Sequence, residues 1–472
     1  MKSEDHLCAA EIRASLDHPI IDADGHIVEY WPELSRYLET EGIEGGMRAL
    51  MPTASFDGTR VWATLSPEQR AAERSYRGPW WGFPNDARDL ATVTAPRLLY
   101  ERLDEIGIDL AVCFPSIGLL CPTQRDEMMR RKSCRAYNRY AADLFEGLGD
   151  RLIPVASIPT DTPEEAIEEL DFATAELGFR AVVLGGFVPR RFAGDDGRRG
   201  YWVDSLGLDS QYHYDPLSRR LVESKIVPAF HSGSMGWGGR RSTTNFSYNH
   251  MGNFAAASEA TAKSLFFGGV LHRFPQLRVA LLEGGVGWGV TLLNGLVEHW
   301  EKRGPEGLAE RDPSKLDGEL YEKLIAQYRG SLTPADGFGL TLPKILDTPD
   351  VVNDFEAAGV QGVGDIVRQI TTQCFFGCEA DDASTAQAFE SARLPERSTL
   401  SPIFSSDIGH WDVAHIDEVV PEAYEHIEKG WLDKEQFRAF MCDNALRMYS
   451  DMDPDFFAGT VLADYAQSRR AR

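Results

Sequence analysis

Ile20-Ile21-Asp22-Ala23-Asp24-Gly25-His26 is an apolar run that ends in side chains able to bind a metal. Three more runs repeat the design: Val227-Pro228-Ala229-Phe230-His231, Val279-Ala280-Leu281-Leu282-Glu283 and Ile403-Phe404-Ser405-Ser406-Asp407-Ile408-Gly409-His410. Each reads as a buried strand whose polar residue sits where the strand emerges into a loop. Short runs that are apolar on both faces suit a parallel sheet covered on both sides. Three imidazoles and three carboxylates at such ends point to a metal site at the C-terminal mouth of a (β/α)8 TIM barrel, an α/β fold that carries its sites there.

Working outward, strand-like runs alternate with amphipathic helices from residue 19 to about 450. Asp109-Leu110-Ala111-Val112-Cys113-Phe114 follows a helical pattern over Pro96–Leu103. Leu152–Ala156 leads to Thr162-Pro163-Glu164-Glu165, which reads as a capping box with Pro at the first helical position and Gly178 as the stop. Ala181–Leu184 and Cys374–Gly377 complete eight strands separated by helices, the βα alternation of one barrel. At 472 residues the chain exceeds the roughly 250 of a plain barrel. The excess lies in three excursions after strands 1, 5 and 6, at about residues 30–90, 232–262 and 300–370. They are expected to form a lid over the mouth of a single domain spanning 1–472, and 453–472 reads as a helical tail free to fray or pack on a neighbour.

The composition is that of a soluble globular chain, 43% hydrophobic and 26% charged. Acidic residues outnumber basic ones 73 to 48, a net charge of −25 that disfavours nucleic acid and anionic membrane as partners. A local arginine cluster can still receive an anionic small molecule. Seven scattered cysteines fit buried thiols in a reducing compartment better than a disulfide framework. No run reaches the roughly 20 apolar residues of a membrane span, and the N-terminus lacks a signal-peptide layout. A cytoplasmic location is expected.

A lone buried histidine is more often a satisfied core residue than a ligand. Here the set carries the signal: Asp24 and His26 stand at i and i+2, on one face of a strand, and His231, Glu283, Asp407 and His410 end three further strands. Three carboxylates and three neutral imidazoles are too many for one structural zinc and suit two divalent ions. Ligands of O/N type without thiolate favour iron, manganese or zinc. His250, in Asn249-His250-Met251-Gly252-Asn253, is either a further ligand or a donor to one.

As a set these residues resemble the amidohydrolase-related metal-dependent barrel enzymes, over nearly the whole chain. The resemblance implies one metal bound by Asp24, His26, His231 and Asp407. Two departures stand out. Glu283-Gly284-Gly285-Val286-Gly287-Trp288 replaces the histidine that opens an H-x-G motif in the group's decarboxylases, and the fourth strand lacks the lysine of binuclear members. Tyr248-Asn249-His250-Met251-Gly252-Asn253-Phe254, Leu282–Trp288 and Ser406-Asp407-Ile408-Gly409-His410 are similar to a branch of barrel-fold nonheme diiron monooxygenases of platensimycin and platencin diterpenoid biosynthesis. That similarity implies a second iron at Glu283 and His410, with Asp407 near both. It also implies dioxygen as co-substrate and a small organic acid or its coenzyme A thioester as substrate; pairing into a homodimer follows from the wider group.

The sequence therefore favours hydroxylation of a C–H bond by two iron ions, with Asp407, Glu283 and His250 as catalytic candidates and Trp288 walling the pocket. The alternative is a hydrolase or decarboxylase using one zinc or manganese, with Asp407 activating water. A non-catalytic barrel with a structural metal needs fewer ligands than are present. Arg190-Arg191 after strand 4, and Arg135 with Arg139 on the helix after strand 2, are candidates for holding a substrate anion. Solvated surface arginines are the bland explanation of the same residues.

Overall fold

The computed structural model describes residues 7–51, 62–77, 83–192, 194, 200–231, 241–311, 315–329 and 353–470. Eight parallel strands form a nearly closed barrel: β1 (Ile21–Ile27), β2 (Leu110–Pro115), β3 (Leu152–Ser157), β4 (Ala181–Leu184), β7 (Pro228–Phe230), β8 (Val279–Leu281), β9 (Cys374–Glu379) and β10 (Pro402–Ser405), in that order. The four quoted runs are β1, β7, β8 and β10. Their continuous apolar character matches their burial on both faces, with all seven residues of β1 buried. The seam closes through backbone bonds from Asp407 N–H to Asp24 O (3.2 Å) and from His26 N–H to Ile408 O (3.0 Å).

A two-stranded antiparallel hairpin after β4, made of β5 (Val188–Arg191) and β6 (Tyr201–Asp204), has no counterpart in the eight-strand reading. The helix after β3 spans Pro163–Asp171, passes through a π turn over Phe172–Glu176, and stops at Gly178 with φ +75°. Thr162 Oγ1 accepts from Glu165 N–H at 3.2 Å. The Glu165 carboxylate, however, binds Arg130, so the expected reciprocal half of the capping box is replaced by a buried ion pair.

The first and second excursions touch. Trp62 Nε1 donates to Thr243 O (2.7 Å), Arg77 N–H to Ser242 O (3.3 Å) and Asn249 Nδ2 to Arg77 O (3.2 Å). Trp80, Trp81 and residues 232–240 lie outside the described residues. The third excursion is shorter than its sequence limits, because the helix Val363–Gln373 belongs to the barrel and buries Ile366 and Ile370 in the core. The tail packs on its own chain: Phe456 stacks on Tyr449 at 4.2 Å, and Arg469 pairs with Asp443. All seven cysteines are free thiols, six of them buried. Among the described residues no helix is long and apolar enough to cross a membrane.

Candidate metal centre

At the mouth, two overlapping groups of donor atoms form, each with its atoms within 4.8 Å of one another: Asp24, His26 and His231, and His26, Glu283, Asp407 and His410. All six side chains are shielded from solvent, the most exposed being that of His410 at 11%. Glu283 and Asp407 have φ of +55° and +51°. Non-glycine residues in that left-handed region cost about 1–3 kcal/mol each. Those turns lie just past the ends of β8 and β10, where both carboxylates face the imidazoles.

His26 shows most clearly what the cluster needs. Its Nδ1–H donates to Pro115 O at 3.1 Å, leaving the Nε2 lone pair aimed inward. Around that lone pair stand Asp24 Oδ1 (3.5 Å), Glu283 Oε1 (3.7 Å) and Asp407 Oδ1 (3.7 Å). Glu283 Oε1 is also 3.2 Å from His231 Nε2 and 3.4 Å from His410 Nδ1. Donors sharing an ion at the usual bond lengths stand roughly 3–3.5 Å apart. Lone pairs this close repel unless a cation sits among them. Asp24 Oδ1 and Oδ2, His26 Nε2 and Glu283 Oε2 are buried without a hydrogen-bond partner, a costly arrangement that a divalent ion resolves. The donor set fits such a metal.

Protonation is divided unevenly across the cluster. Burial opposes ionisation of Glu283, yet His231, whose ring nitrogen faces Oε1, holds its carboxyl well below the usual range. Burial and the negative charges of Glu283 and Glu379 push Asp407 well above it. Burial, reinforced by His26, keeps His410 neutral. Glu379, at the end of β9, is raised to about 8 by burial and then by Glu283 and Asp412. It lines a cleft of about 180 Å³ beside Asp407, with Asp412, His415, Glu418 and Glu422.

Asp22 braces the seam from behind. Its Oδ1 accepts from Ser406 N–H (3.0 Å) and Asp24 N–H (3.2 Å), and its Oδ2 from Ser406 Oγ (2.6 Å). A Cβ on Gly25 would lie 2.3 Å from Asp22 Oδ2, so only glycine there lets the carboxylate reach across. Burial pushes Asp22 up to about 6, against the downward pull of those hydrogen bonds. Because the folded pKa is raised, its contribution to stability is full below about pH 4 and is lost as pH rises through 6. The shift from 3.8 to about 6 corresponds to about 3 kcal/mol. Asp22→Asn keeps the acceptor and removes the charge. Melting curves from pH 4 to 8 with chelator present should show the parent losing stability relative to D22N by up to that amount. Parallel profiles would exclude a buried charge at Asp22.

The remaining candidates sit elsewhere. His250 lies outside both donor groups, stacked on Phe246 at 5.1 Å and edge-on to Phe254 and Trp411. Trp288 packs its ring edge against Phe376 at 5.2 Å. The Arg190 guanidinium is buried, bound to Asp204 (3.0 Å) and Tyr214 Oη (2.8 Å). Arg135 pairs with Glu169 at 2.9 Å and lies over the Phe172 ring at 3.6 Å. Both arginines are thus committed to internal partners. No role for Asp22 or Glu379 is predicted from the sequence. Glu379 carries the signal that found the others, an apolar run ending in a carboxylate; Asp22 carries none, because its role depends on Ser406 from the far end of the chain.

An eight-stranded parallel barrel with clustered O/N donors at its mouth defines the class of metal-dependent TIM-barrel enzymes. The chain belongs to the amidohydrolase family, whose model matches residues 21–313. Among solved structures it is similar to an amidohydrolase of Mycobacterium avium subsp. paratuberculosis K-10, with 19% identity, a TM-score of 0.52, and coverage of 92% of this chain and 100% of that one. It is also similar to a 2,6-dihydroxybenzoate decarboxylase from Rhizobium, with 13% identity, a TM-score of 0.48, and coverage of 92% and 99% respectively. The first likeness shows the shared fold; the second adds nothing to it. The match is to the coarser of the two resemblances read from the sequence, the amidohydrolase group rather than its diiron branch.

Proposed function

We propose that this chain is a metal-dependent hydrolase or carboxy-lyase acting on a small organic acid. The observation that carries the reading is the convergence of Asp24, His26, His231, Glu283, Asp407 and His410 at the mouth of an amidohydrolase-family barrel. These residues would hold a divalent zinc, manganese or iron ion, which when bound polarises a substrate oxygen or a water molecule. Glu283 and Asp24 supply negative charge to retain it. His26 is fixed in one tautomer by Pro115 O, so its Nε2 is permanently available. Asp407, just past the end of β10 beside His26, is the group that as a carboxylate would take a proton from water and, once protonated, return it to the substrate.

A second reading, oxygen activation at two iron ions, rests on one observation: two donor groups form where a single ion needs one. His26 Nε2 can serve only one ion, which leaves Asp24–His26–His231 and Glu283–Asp407–His410 as two sets of three. The first is a two-histidine, one-carboxylate set of the kind that suits iron(II).

One experiment separates the readings. Purified protein is analysed for metals and incubated without oxygen with aromatic and short-chain carboxylic acids and their esters and amides. Hydrolysis or carbon dioxide release that chelator abolishes is the expected result. Two equivalents of iron per chain with substrate-dependent oxygen uptake, and no anaerobic turnover, would overturn the first reading in favour of the second.

A further inference from the structure

Alternation along β5 sends neighbouring arginines to opposite faces. Arg190 points inward to Asp204 and Tyr214, whereas Arg191 is exposed and lines a cleft of about 170 Å³ with Arg125, Thr123, Phe187, Val188 and Tyr201. The cleft's carboxylate, Asp161, is 3.5 Å from Arg130 Nη2 and 3.4 Å from Arg190 Nη1. Both of those arginines already hold another acid, so the balance of the cleft is set by its own lining: Arg125 and Arg191 against the one carboxylate, a local excess of positive charge on a chain of net charge −25. Its walls are otherwise apolar or hydroxylic, suited to a flat apolar body carrying an anionic end.

The cleft opens at strand ends next to those that carry the donor cluster. His231 N–H donates to Leu184 O at 3.0 Å, so Gly185, which lines the cleft, runs alongside His231. The donor cluster occupies β1, β7, β8 and β10, and the cleft occupies the neighbouring ends of β2, β3 and β4. A molecule lying across the mouth thus meets metal donors on one side and guanidinium on the other.

We propose that this cleft is the substrate's anion subsite, where Arg191, assisted by Arg125, binds the carboxylate of an acid with an apolar body. The proposal deepens the metal-dependent reading and rests on it for the fate of the substrate, but not for binding. Loss of a charge-assisted hydrogen bond to a carboxylate weakens binding about tenfold or more.

Calorimetric titration with benzoate, and with benzamide as its neutral counterpart, tests it on metal-loaded and chelator-treated protein. The expected result is benzoate binding in both forms, at least about tenfold weaker for benzamide and for Arg191→Gln, and weakened also by Arg125→Gln. Metal content and melting temperature of both variants should match the parent. Equal binding by the parent and both variants, equal binding of benzoate and benzamide, or no benzoate binding would overturn the subsite. Benzoate binding that chelator abolishes and R191Q leaves intact would overturn it too, while supporting a metal that holds the acid. Arginine-dependent binding by a protein that takes up no metal would leave the subsite standing and remove the metal-dependent reading.

Discussion

Replacing Glu283 with glutamine should lower metal affinity by on the order of 10²-fold or more while leaving the barrel folded. The side chain keeps its size, so the turn at φ +55° is undisturbed. What changes is charge. Glu283 Oε1 stands within 3.2–3.7 Å of donor nitrogens on His231, His410 and His26, so it is the carboxylate common to all three imidazoles. A neutral amide attracts a divalent ion less, and its N–H₂ group can donate to the imidazole lone pairs that would otherwise bind the ion. Metal analysis after dialysis against graded chelator, with circular dichroism as the control for folding, reads the effect. A variant that retains metal with the parent's affinity would remove Glu283 from the ligand set, and with it the case for a second ion.

The largest expected loss of stability lies at Arg130. This residue is 4% exposed and makes a bidentate pair with Glu165, itself 3% exposed, through contacts of 2.9 and 3.0 Å. Its Nη1 also donates to Gln124 O at 2.9 Å, tying the loop after β2 to the helix after β3. Removing one member of a buried pair costs about 3–5 kcal/mol, because the other charge is left without compensation. Arg130→Ala should therefore unfold at clearly lower urea concentration than the parent. The double variant Arg130→Met/Glu165→Met should recover most of the loss, since the desolvation cost disappears with both charges. Failure of the double variant to recover would mean that Gln124 and the adjoining loop, rather than the ion pair, carry the effect.

The way the site was legible follows from its construction. Asp24, His26, His231, Glu283, Asp407 and His410 each sit at or just past the end of an apolar run, and a parallel barrel brings all such ends to one face. Local pattern and fold topology were sufficient to group them. Arg190 and Arg191 show the opposite case. Adjacent in sequence and identical in chemistry, they part because the hairpin turns one toward Asp204 and the other toward the cleft. The hairpin itself is only four residues per strand, too short for its alternation to stand out in the sequence.

The sequence by itself determined the alternation of strands and helices, the acidic balance and the chemical identity of the candidate donors, because these depend on residue type and short-range spacing. Only the tertiary structure decided that Arg190 is held by Asp204 while Arg191 lines the cleft, that Asp22 clasps Ser406 across the seam, and that Glu283 Oε1 faces all three imidazoles. Those properties arise from burial and from distances of a few ångströms between residues hundreds of positions apart. Such electrostatic energies depend on position, and a linear chain does not specify it until the barrel closes.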